Sequence, residues 1–216
     1  MAGALALTLW LAYRSRPFLH PVQIEAGLER YRDAVNPIRT WLWIGVSALA
    51  GVFAGVSAAT RWRTVEMWWH GTPFGTKDPY FHKDVGFYVF DLPWLHMVVS
   101  FVMAVSVVCL LGSVLTHYLY GGIRLQSPGD RLSSAAQVQF SALLAIFVLA
   151  KGVDYWLDRY DLTNSQSPLF TGIGYTDDNA VLPAKSALAG IAIICAVLFL
   201  INIWRRTWLL PGMGVA

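Results

Sequence analysis

Long unbroken apolar runs alternate with shorter polar connections along the chain, and four of the runs are long enough to cross a membrane. They cover residues 41–60, 94–118, 136–153 and 183–204. A crossing helix needs about 20 mainly apolar residues, because the hydrocarbon layer is about 30 Å thick and each helical residue rises about 1.5 Å. The run at 136–153 is the weakest, since Gln137, Gln139 and Lys151 interrupt it. Within each run the apolar residues follow one another instead of recurring on one face, the mark of helices with lipid around them. The pattern predicts an all-α integral membrane helical bundle with four complete spans.

Two further apolar runs are too short to cross. Residues 1–13 have no Lys or Arg ahead of them, as a secretory signal would; the first basic residues, Arg14 and Arg16, follow. They are expected to be the second half of a span that begins upstream. Residues 208–216 open another run and stop, so partial spans are expected at both ends, with 1–216 a single transmembrane domain of a longer protein.

Composition supports this picture and removes alternatives. Of 216 residues, 56% are hydrophobic and 13% charged, about half the charge of an ordinary soluble domain. The net charge of +3 is scattered and forms no basic stripe, so nucleic acid is not an expected partner. Cys109 and Cys195 both fall inside apolar runs, without CxxC or HExxH spacing anywhere. No catalytic constellation is visible and no cofactor is expected.

Loops 14–40 and 119–135, with Arg205 and Arg206, hold nine of the sixteen Lys and Arg residues, while loops 61–93 and 154–182 hold five of them and nine of the thirteen acids. Basic residues concentrate on the cytoplasmic side. The first set is therefore expected in the cytoplasm and the second outside a cell membrane crossed several times.

Several residue sets stand out against that frame. Ser47, Gly51, Gly55 and Ala59 recur at every fourth position and line one face of the 41–60 span, the spacing that lets helix backbones approach closely. Packing within the bundle is their expected role, with contact between copies as the alternative. Loop 61–93 is rich in Trp, Tyr, Phe, Gly and Pro and is expected to lie at the membrane interface. The stretch from Gly71 to Asp78 fails as a phosphate loop, because the second Gly comes one residue early and Lys77 is followed by Asp78. Asp78, Asp84 and Asp91 suit turn capping and pairing with Lys77 and Lys83 better than cation binding. Lys151, Asp154, Asp158 and Asp161 fall on one face if the third span continues as a helix, with Lys151 paired to Asp154. Together with Asp177 and Asp178, these aspartates are the candidate acidic site for a Ca²⁺ ion or a basic partner segment. His96 and His117 flank the 94–118 run, and His70 and His82 lie in loop 61–93; interface anchoring is their expected use.

The run FGTKDPYFHKDVGFYVFDLPW, residues 74–94, resembles uncharacterised protein family 0182, large bacterial membrane proteins common in actinobacteria. The matching positions are Phe74, Gly75, Asp78, Pro79, Asp84, Phe87, Tyr88, Phe90, Leu92 and Pro93. The stretches at 116–126, 155–162 and 175–185 extend the likeness, while His82 stands where the family pattern leads one to expect glycine. The resemblance implies a bundle of about seven spans, one of them ahead of residue 1, and a large extracytoplasmic domain beyond residue 216. It implies no activity and carries over no functional residues.

With no charge at the centre of any span and no activated nucleophile, the expected function is the membrane-anchoring bundle of a cell-envelope scaffold or accessory subunit. Its partners would be the lipid bilayer and a second protein or a second copy. Transport or lipid handling along a pathway between the helices is the alternative, and an intramembrane enzyme comes third.

Overall fold

The computed structural model describes residues 1–15, 33–123, 132–165 and 172–205. Among them all regular structure is helical, and the β contacts are two isolated bridges, Lys77 with Asp84 and Ile123 with Leu132. Six α-helices follow one another: α1 Ala2–Arg14, α2 Arg39–Ala59, α3 Trp62–Trp69, α4 Leu92–Leu119, α5 Ser134–Asp161 and α6 Leu182–Arg205. Four elements are long and apolar enough to cross a membrane, and they contain α2, α4, α5 and α6. These correspond to the four expected runs. The 136–153 run is embedded in a longer helix, because its polar continuation through Asp161 keeps the helical hydrogen bonds that the apolar part began. The run at 208–216 lies outside the described residues, as do Arg16, Arg30, Arg32, Arg124, Arg131 and Arg206 of the charge count.

Two of the long helices begin in the same unusual way. A π-helical turn, Phe87–Asp91, leads into α4, and another, Asp177–Val181, leads into α6; each is followed by Leu-Pro. Proline has no N–H to give the carbonyl four residues back, and its ring crowds that carbonyl. Here the turn ahead of the proline widens. The N–H of Leu92 donates to the carbonyl of Phe87 and that of Leu182 to Asp177, a five-residue step that carries the helix past Pro93 and Pro183 without a break.

The chain forms two compact units, to which the long helices contribute different segments. The first consists of the described residues within Met1–Val56, Ala104–Ala145 and Val197–Ala216. Leu5, Leu9 and Cys109 are buried together in it, with Trp43, Ala50, Val105, Val108 and Leu143 packed around them. The Tyr13 ring meets Trp43 and Tyr120 edge-on, and the Arg39 guanidinium lies over Tyr13 and donates to its hydroxyl. The second unit comprises the described residues within Ser57–Met103 and Ile146–Ala196. Its core is Leu92, Val99, Ala150 and Leu157, covered by Phe87, Tyr88, Leu95 and Tyr160.

The small residues of α2 divide in their surroundings. Ser47 is buried and Gly51 faces Ala2 of α1 so closely that an added Cβ would lie 2.9 Å from the Ala2 Cβ. Around Gly55 nothing comes within 4 Å, and Ala59 is exposed. Gly51→Leu should therefore force α1 away and lower stability by about 1–3 kcal/mol, the cost of overpacking. Gly55→Leu should leave it unchanged within about 0.5 kcal/mol. Chemical unfolding of the two variants in the same detergent compares them directly.

Candidate functional site

The loop between α3 and α4 is organised by two aspartates. Asp84 accepts the backbone N–H of Phe74 at 3.0 Å, of Gly75 at 2.9 Å and of Gly86 at 2.7 Å. Three donors satisfied by one carboxylate fold the segment on itself, beside the Lys77–Asp84 bridge. Asp78 accepts the N–H of Tyr80 and Phe81 across Pro79, at 3.1 and 2.6 Å, and the Tyr88 hydroxyl at 3.4 Å. An aspartate before a proline that bonds its own backbone two and three residues on is a self-contained turn. Gly75 takes φ 73 and His82 φ 57, both in the left-handed region. For His82 that conformation costs about 1–2 kcal/mol, which is the physical reason glycine would be expected there.

The remaining residues of the 74–93 motif have structural uses as well. Phe74 stacks on Phe90 with centroids 5.9 Å apart, and Phe87 packs edge-on against Tyr160 of α5 at 5.3 Å. Leu92 enters the core and Pro93 opens α4. The loop is thus anchored from below by the core and closed from within by its carboxylates.

Charged side chains from α4, α5 and α6 converge in the second unit. Asp154, Asp158 and Asp161 follow one another up α5 at helical spacing. His96 of α4 reaches two of them, with Nδ1 3.4 Å from Asp154 and Nε2 2.9 Å from Asp161. Lys151 lies 2.7 Å from Asp154, and Lys185 of α6 pairs with Asp158. His96, Asp158 and Asp161 offer donor atoms within 4.8 Å of one another, a set that chemically suits a divalent cation. Two of the carboxylates already face ammonium groups of the chain, so the cluster acts as a clamp across three helices.

Of the five aspartates named from the sequence, Asp154, Asp158 and Asp161 are brought together, whereas Asp177 and Asp178 are occupied elsewhere. Asp177 accepts the N–H of Gly174 at 3.1 Å, and Asp178 accepts the hydroxyl of Tyr80. Two members of the cluster, His96 and Lys185, were not assigned to it from sequence. Both sit within one turn after Leu-Pro, in LPWLH and LPAK, and that shared spacing is the signal that places a basic group near the head of each helix.

A second polar set lies in the first unit. His117 is only 1% exposed, and its Nε2 stands 2.9 Å from the side-chain oxygen of Gln139. The Gln139 amide donates in turn to the carbonyl of Thr8 in α1 at 2.9 Å, and Asn202 donates to Ser141 at 2.7 Å. His117 was expected at an interface. Gln139, which weakened the third run as a span, supplies the partner that allows the imidazole to be buried.

Comparison with known proteins adds kinship. The model of an uncharacterised protein family, UPF0182, matches residues 1–216. The chain is 60% identical over 217 residues to a UPF0182 protein of Nocardioides sp. (strain ATCC BAA-499 / JS614), a match covering 100% of this chain and 22% of the relative. It is 48% identical over 220 residues to a UPF0182 protein of Streptomyces coelicolor, covering 99% of the chain and 22% of the relative. It is 45% identical over 215 residues to one of Frankia alni, covering 99% and 21%. The chain spans about a fifth of the length of these curated relatives. No solved structure matches it.

Two outcomes follow from the geometry. The N–H groups of Gly86, Phe74 and Gly75 hold the Asp84 carboxyl below the usual carboxylate range. A depressed folded value means the loop bonds are complete above the unfolded value of about pH 4 and fade as pH falls through the lowered one. Amide exchange at Phe74, Gly75 and Gly86, corrected for intrinsic rate, should stay flat between about pH 5 and 8 and rise only in stronger acid; Asp84→Asn should raise it throughout. In the clamp, Lys185→Met should destabilise by about 1–3 kcal/mol by stranding Asp158. The double variant Lys185→Met/Asp158→Asn should recover most of that loss, as a double-mutant cycle of unfolding energies would measure.

Proposed function

The chain belongs to the uncharacterised protein family UPF0182, and since that membership assigns no activity, we propose from the geometry that it is the membrane-anchoring bundle of a cell-envelope scaffold or accessory subunit. Loops 14–40 and 119–135 then face the cytoplasm, and loops 61–93 and 154–182 face outward, as the distribution of Lys and Arg favours. The observation that carries the reading is the stapled loop of the second unit. Asp84 and Asp78 spend their bonding capacity on the loop's own backbone. The cost of ordering the loop is therefore met before any partner arrives, the condition for a preorganised docking surface. Phe74 on that loop is exposed, and Tyr175, ahead of the Asp177–Val181 turn, is 85% exposed. Such aromatic surface is what protein partners use as anchors.

A different observation favours the second reading, transport or lipid handling. All eight buried polar side chains among the described residues lie in the first unit, including Thr8, Ser113, His117 and Asn202. Polar groups inside membrane helices line substrate paths in transporters.

Native mass spectrometry of the protein extracted at endogenous abundance separates the two. A second polypeptide at fixed stoichiometry is expected, and it should be lost when Phe74 and Tyr175 are both changed to Ser. Isolation of the protein alone would sink the scaffold reading and turn attention to the first unit.

A further inference from the structure

A shallow surface groove of about 550 Å³, open over most of its face, lies beside α3 and is lined by Trp62, Arg63, Glu66, Met67, His70 and Phe90. We infer that it holds the headgroup of a phospholipid carrying a primary ammonium, with Arg63 facing the phosphate, Glu66 the ammonium, and the Trp62, Met67 and Phe90 side chains the glycerol and the upper acyl chain. The inference rests on α2 and α4 being membrane crossings. It is independent of the scaffold reading.

Three observations place a lipid there. First, α3 begins three residues after α2 ends, and its Trp68 stacks on Trp94 at the head of α4, with centroids 4.5 Å and planes 14° apart. The helix is thereby held at the level where two crossing helices meet the surface, and tryptophan at that level is at home among headgroups. Second, Arg63 and Glu66 stand three residues apart, the spacing at which opposite charges on a helix reach one another. Among the described residues neither takes part in an ion pair, and the Arg63 guanidinium lies instead 5.7 Å from the Trp62 ring. Two opposite charges that leave each other free along one groove complement a ligand bearing both signs. Third, Trp62, Met67 and Phe90 make the rest of the lining largely apolar and aromatic, which suits the uncharged part of a lipid and does not suit a small soluble zwitterion.

The chemistry separates the roles of the two charges. Guanidinium recognises any phosphodiester, so Arg63 should not distinguish one headgroup from another. Carboxylate attracts the ammonium of phosphatidylethanolamine and finds no cation on the neutral glycerol of phosphatidylglycerol, so Glu66 sets the choice between them. His70 follows the last turn of the helix with its Nδ1 3.2 Å from the Glu66 carbonyl oxygen and bounds the groove.

The test uses the full chain in nanodiscs holding equal phosphatidylethanolamine and phosphatidylglycerol, with retained lipids counted by native mass spectrometry. The unaltered protein should retain phosphatidylethanolamine preferentially. Glu66→Gln should lower the ratio of the two lipids about threefold to fivefold with total retention unchanged, and Glu66→Lys should reverse the preference. Arg63→Gln should reduce retention of both lipids together. Arg61→Gln, ahead of α3 and outside the groove, should alter neither. All four substitutions fall on exposed positions, and helicity by circular dichroism verifies that each variant is folded. No preference in the unaltered protein, an unchanged ratio in folded Glu66→Gln, or the same change in Arg61→Gln would each overturn the inference and leave ordinary lipid contact. A polypeptide retained in place of lipid, and lost on Arg63→Gln, would overturn it in favour of a protein ligand.

Discussion

A polar group without water beside it must be answered from within the chain, and nearly every distinctive feature of this structure is an answer to that demand. In hydrocarbon an unpaired N–H or C=O costs several kcal/mol, which restricts long apolar runs to helices. The same demand shapes the exceptions. At Pro93 and Pro183 the missing donor does not break the helix, because the preceding turn takes a five-residue step. At His117 it recruits Gln139, whose own amide then needs the Thr8 carbonyl. One buried imidazole thereby ties three helical segments of the first unit to one another.

The clamp in the second unit applies the same rule to charge. Three carboxylates at helical spacing on α5 repel one another. They are tolerated because α4 and α6 each bring a basic side chain within a turn of their Leu-Pro openings: His96 against Asp154 and Asp161, Lys185 against Asp158. In both helices the widened turn, the Leu-Pro pair and the basic residue of the clamp follow one another in that order.

The sequence displayed those features that depend on neighbours along the chain. Apolar run length located α2, α4, α5 and α6, and the spacing of Asp154, Asp158 and Asp161 placed them on one face before any contact was known. The turn-capping use of Asp78 and Asp84 was legible along the chain, whereas the reach of Asp84 back to the N–H groups of Phe74 and Gly75, ten and nine residues away, was not, because it leaves no local trace. His96 and Lys185 escaped for the same reason: their partners lie some sixty and thirty residues away and become neighbours only when helices pack. Gln139 misled in a more instructive way. Counted along the chain it is an impurity in an apolar run, whereas in three dimensions it is what permits His117 to be buried.

The two units meet the common demand with different materials, and the difference bears on where function resides. Buried Leu92, Val99, Ala150 and Leu157 make the second core wholly apolar, so its polar chemistry is left to the loop, the clamp and the α3 groove. The first unit instead buries Ser113 and Ser47 with no hydrogen-bond partner among the described residues, at a cost of about 1–3 kcal/mol for each unanswered hydroxyl. A core built for stability alone would place alanine at such positions. The unanswered hydroxyls among the described residues thus lie in the interior of the first unit, while the second keeps its polar groups on its loop, its clamp and the α3 groove.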